Sequence, residues 1–157
     1  AINYFTALRS LRKASITIAH RSKGGSVGPF GSVYWLNYPR MAYELKKSQE
    51  EESDQMHVAL LHRKVNDGRL QRPLAFCIEW HPTGAVTVRA EDMAEVAEFV
   101  EELPIADQCI LAMRNHGPLT VRELAEITGQ QARSVSVVLS RSRSRFRKAG
   151  NQKWDMV

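Results

Sequence analysis

"ELAEITGQQARSVSVVL", residues 123–139, is the stretch on which the reading of this fold turns. Thr120 stands three residues ahead of Glu123, the spacing of a capping box, and so predicts a helix opening there. Gly129 supplies the turn that closes this helix. Beyond the turn, Val135, Val138 and Leu139 recur at helical spacing and face a core, leaving Arg133, Ser134, Ser136, Val137, Ser140 and Arg141 on the outer side. Two helices about a glycine turn, the second polar and basic on its free face, make a helix–turn–helix layout.

The flanks extend this reading in both directions. Upstream, "IADQCILAMRNHG" (105–117) predicts one more helix. Downstream, "RFRKAGNQKWDMV" (145–157) predicts two short strands about a Gly-Asn turn. Together residues 104–157 resemble winged-helix domains. The resemblance implies a recognition helix presenting Arg133, Ser136 and Arg141 to a groove, followed by Arg143 and a basic wing of Arg145, Arg147, Lys148 and Lys153. The low-complexity run "SRSRSR" (140–145) suits a phosphate backbone, because small serines let neighbouring cations approach it closely. Winged helices also serve as protein-docking modules, and a run of charge also serves as a solvated face.

Charge distribution favours DNA. Residues 104–157 hold nine Lys or Arg against four Asp or Glu, so the entire net charge of +5 lies there, while residues 1–103 balance at zero. A basic module joined to a neutral one points to a polyanionic partner for the basic part. At 157 residues, 43% hydrophobic and 25% charged, the chain has the composition of a globular protein with one domain or two small ones. It has no apolar run of the roughly 20 residues that would span a membrane. Cys77 and Cys109 each sit in an apolar segment without a CxxC pattern or an evident histidine ligand set. They are expected to be buried, reduced thiols of a cytoplasmic protein, with no metal site.

Residues 1–103 read as α/β. "INYFTALRSLRK" (2–13) predicts an amphipathic helix, and "ASITIAH" (14–20) an apolar strand at the centre of a covered sheet. "SVYWLNYP" (32–39) predicts a short helix. "RMAYELKK", "MHVALLHRKV", "LAFCIEW" and "AVTVRA" predict four strands, antiparallel because the separators are short. "EDMAEVAEFVEEL" (91–103) predicts a single helix with Met93, Val96, Ala97 and Val100 as its apolar stripe, stopped by Pro104. The expected boundary therefore divides residues 1–103 from 104–157.

Between the first strand and the short helix lies "HRSKGGSVGPFGSVYW" (20–35), with four of the nine glycines. It is not a phosphate-binding P-loop, since no Lys follows a glycine at the required place. The order of "IAH", "GSVYW" and "HRKVNDG" across residues 1 to about 90 resembles the carboxyl half of RecA-like ATPases, in the branch of plasmid and phage replicative helicases. That resemblance implies a partial RecA-like sheet with antiparallel C-terminal strands, preceding the small winged-helix (α+β) domain. It further implies His20 as a polar sensor of the γ-phosphate, Arg21 and Lys23 as DNA contacts in a channel-facing loop, and Lys64 as a cation reaching a neighbouring subunit's nucleotide. Asn66 stands where the family has arginine, with Arg63 beside the finger position as a candidate nucleotide contact. Without the resemblance, His20 is a strand-end histidine and Arg63 and Lys64 are hairpin charges.

Two functions follow as expectations. One is the tail of a ring-forming, homo-oligomeric DNA-dependent ATPase, with ATP and Mg²⁺ held by a P-loop half or neighbouring subunit and neither held by this chain alone. Its opening at Ala1, mid-fold on that reading, suits a piece of a longer protein. The other is a non-enzymatic DNA-binding regulator whose α/β part dimerises.

Overall fold

A computed structural model describes residues 1–20 and 34–157. The chain divides into two units, Ala1–Glu44 with Leu61–Arg72, and Leu45–Leu60 with Pro73–Val157. Among the described residues no helix is long and apolar enough to cross a membrane.

In the first unit, α1 (Ile2–Ser10) forms at the expected place. It buries Phe5, whose ring stacks on Tyr38 at 5.5 Å and meets Trp35 edge-on at 5.2 Å. α2 (Tyr34–Asn37) is a single turn that presents Trp35, with Tyr38 just beyond it. Residues 14–20, expected as a central strand, form none, and Ile16 and Ile18 are 97% and 91% exposed. Among the described residues this segment joins no ladder. An extended apolar segment without a ladder partner has nowhere to place its backbone hydrogen bonds except water.

The four expected strands form as β1 (Met41–Ser48), β2 (Gln55–Val65), β3 (Leu74–Trp80) and β4 (Val86–Glu91). They make one sheet in the order β1-β2-β3-β4, with β1 and β2 each passing through both units. β3 pairs antiparallel with β2 and with β4, and the register sets His57 opposite Cys77 and Ala75 opposite Glu91. At coarse level the chain is therefore mixed α/β with an antiparallel sheet.

The expected helix over 91–103 is broken. Asp92 caps a 3-10 turn (Met93–Glu95) by accepting the Ala94 N–H at 2.9 Å, and α3 (Ala97–Val100) follows after Val96 at an extended φ of −109°. The buried residues are Met93, Val96 and Phe99, a period of three instead of the 3.6 first expected. The segment is anchored to β1, where Lys46 pairs with Glu102 and lies 3.4 Å from Glu101. The Glu102 hydrogen bond, outweighing desolvation, holds the Lys46 ammonium above its ordinary pKa.

Residues 104–157 then run α4 (Ile105–His116), β5 (Leu119–Thr120), α5 (Val121–Thr128), α6 (Ala132–Arg141), β6 (Phe146–Lys148) and β7 (Lys153–Met156). The three short strands form a sheet in the order β5-β7-β6. Cys109, Ala112, Met113, Leu119, Leu124, Val135, Leu139 and Phe146 close one core between the helices and this sheet. Both cysteines are buried and free. Burial pushes the Cys109 thiol up to about 11.

Candidate nucleic-acid interface

The candidate face lies on α6, and its orientation is set by local chemistry. Thr120 Oγ1 accepts the Glu123 N–H at 3.2 Å, while Glu123 Oε2 accepts the Thr120 N–H at 2.7 Å, closing the expected capping box. The Thr120 backbone N–H, then its hydroxyl and the nearby Lys153, hold the Glu123 carboxyl below the usual carboxylate range. Gly129 ends α5 at φ +66°, a left-handed conformation that glycine adopts without steric cost. The turn sends α6 back across the core on Val135 and Leu139, both fully buried.

With that face fixed, Arg133, Val137, Ser140 and Arg141 are exposed, and Ser134 and Ser136 half-buried. Arg133, Arg141 and Arg143 are exposed and make no ion pair or side-chain hydrogen bond among the described residues. α6 stops at Arg141, so Arg143 projects from the turn that follows.

The basic residues from Arg145 to Lys153 are already engaged. Arg145 pairs with Asp107 in the first turn of α4, tying the base of the hairpin to that helix. Arg147 donates to Asp155 across β6 and β7 at 3.2 Å. Lys148 lies over the Trp154 ring at 5.9 Å, and Lys153 is half-buried near Glu123. One polar residue went unremarked in the sequence: Gln131 is the N-cap of α6, exposed, and makes no side-chain capping bond. Its position at the start of a second helix, where base contacts concentrate, was the available signal.

The residues expected from the RecA resemblance are placed in the first unit or lie outside the described residues, as Arg21 and Lys23 do. His20 is exposed, at the end of irregular chain and not of a strand. Lys64 donates to the carbonyls of Leu36, Asn37 and Pro39 at 3.0, 2.6 and 2.9 Å, using all three ammonium donors to hold the end of α2. Arg63 Nε donates to Glu44 at 2.7 Å. Asn66 is exposed in the turn after β2, where its N–H donates to the Arg40 carbonyl at 2.9 Å.

No protein-family model, curated protein or solved structure matches this chain.

Proposed function

We propose that this chain binds DNA through residues 104–157, acting as a winged-helix module with α6 in the major groove. The observation that carries the reading is the row of exposed, unpaired Arg133, Arg141 and Arg143 along and just beyond α6. Cations already paired to carboxylates gain little from a phosphate; these three are not so paired. The order helix, strand, helix, helix, strand, strand supports the same reading, since it matches the arrangement expected of a winged helix. Gln131 at the head of α6 is suited to bonding a base edge, as an amide does with adenine. Arg145, engaged with Asp107, keeps a structural part in this scheme and leaves the phosphate contacts to its neighbours.

The RecA-like motor draws no comparable support from geometry, because Lys64 is committed to three carbonyls. The proposal therefore rests on residues 104–157 and requires no nucleotide. Fluorescence anisotropy of the whole chain with a labelled duplex tests it. The expected result is ATP-independent binding that weakens about tenfold or more in the triple variant R133A/R141A/R143A, whose fold is checked by circular dichroism. Equal affinity of a folded triple variant would overturn it.

A further inference from the structure

Three side chains that the sequence separates converge on one face of the four-stranded sheet. His57 on β2 stands directly opposite Cys77 on β3, and Glu91 closes β4 one diagonal step away. His57 Nδ1 lies 3.0 and 2.9 Å from the two Glu91 carboxylate oxygens. One donor atom from each of the three residues lies within 4.8 Å of the other two. This corrects the expectation that Cys77 has no histidine beside it.

We propose that His57, Cys77 and Glu91 form a site for a divalent transition-metal ion of the zinc type. The ion takes Cys77 Sγ, a ring nitrogen of His57 and a carboxylate oxygen of Glu91. Thiolate, imidazole and carboxylate together form a zinc-type donor set, whereas Mg²⁺ and Ca²⁺ take oxygen. Donors around a tetrahedral ion lie about 3.3–3.8 Å apart, given bond lengths of about 2.0–2.3 Å. The widest pair needs to close by about 1 Å from the separation given above, while His57 and Glu91, at 2.9 Å, need to part slightly, both a matter of small χ rotations. Their neighbours on the same face, Ala59 and Ala75, carry only methyl groups and are buried, so nothing bulky stands between the donors.

Two further observations bear on this cluster. β4 is exposed from Val86 to Ala90, yet the Glu91 side chain is only 4% exposed, so this strand turns one carboxylate inward. A buried carboxylate needs an opposite charge or a metal, and here His57 Nδ1 is the partner it already has. Cys77 is wholly buried, which rules against a nucleophilic triad of the same three residues, because a substrate cannot reach the sulfur. Arg89, opposite Cys77 on β4, is exposed, and its long stem lets the cation stay in water. As the metal–sulfur bond forms, the thiol proton passes to solvent. Three protein donors leave one tetrahedral position, and the His57 side chain is 31% exposed.

Cobalt(II) is the probe, titrated into the whole reduced chain. The expected result is a thiolate-to-cobalt charge-transfer band with intense tetrahedral ligand-field absorption, saturating at one equivalent and displaced by Zn²⁺. C109A keeps the band. C77A abolishes it, and H57Q and E91Q each weaken cobalt binding by about 10–100-fold or more. H57Q alters a partly exposed ring and decides the matter by itself should C77A not fold. No charge-transfer band in the folded wild-type chain, or a band unchanged in folded C77A or H57Q, overturns the site.

Discussion

Thr120 and Glu123 exchange two hydrogen bonds within one turn of chain, and both satisfy backbone or carboxylate groups that would otherwise face only water. Because the fold lowers the Glu123 pKa, its contribution to stability is present above the ordinary carboxylate range and is lost as pH falls through the lowered value. E123Q is therefore expected to melt below wild type at neutral pH, with the gap closing under acid conditions in a series of thermal melts. The arginines at 143 and 145 make a second comparison at this scale. Arg145 is part-buried against Asp107, while Arg143 is exposed and unpaired. R145A is expected to cost about 1 kcal/mol, allowing for partial solvent screening, and so lower Tm by about 2–4 °C. R143A should leave Tm unchanged and weaken DNA binding. Reversal of that pattern would exchange the roles of the two residues.

Among the elements, the α5–α6 turn carries the most consequence. A Cβ at Gly129 would meet nothing within 4 Å, so substitution there costs backbone strain and not a clash. G129A is expected to destabilise by about 1 kcal/mol, and G129N by less, since asparagine tolerates the left-handed region better. Chemical denaturation of the two variants measures this; equal stability of G129A and wild type would mean the turn relaxes. The segment after β4 shows a different balance. Its composition suits a regular helix, but burying Met93, Val96 and Phe99 together requires a threefold repeat. Packing prevailed over helix propensity, and the chain yielded at Val96.

Over the whole molecule, all the net positive charge falls on residues 104–157. With about 4–6 phosphate contacts, DNA affinity should fall on the order of 10²–10³-fold between about 50 and 200 mM salt. Binding measured across that range gives the slope, which the triple arginine variant should flatten by about 3. A salt-independent affinity would remove the phosphate backbone as the partner surface.

The chemistry of near neighbours determined much of this protein. Caps, turns and periodicity act over a few residues, and so α1, α2, the four strands, the capping box, Gly129 and the closing hairpin could be read from the chain. So could the outward arginines of α6, because helix period alone assigns a residue to the core face or the other face. Tertiary structure decided what depends on long separations. It left residues 14–20 without a ladder, engaged Lys64 with the end of α2, and joined Arg145 to Asp107 across 38 positions. It also brought His57 to Glu91 across 34 positions, with Cys77 between their strands. Strand register makes such meetings, and a shift of one residue would have turned His57 to the opposite face.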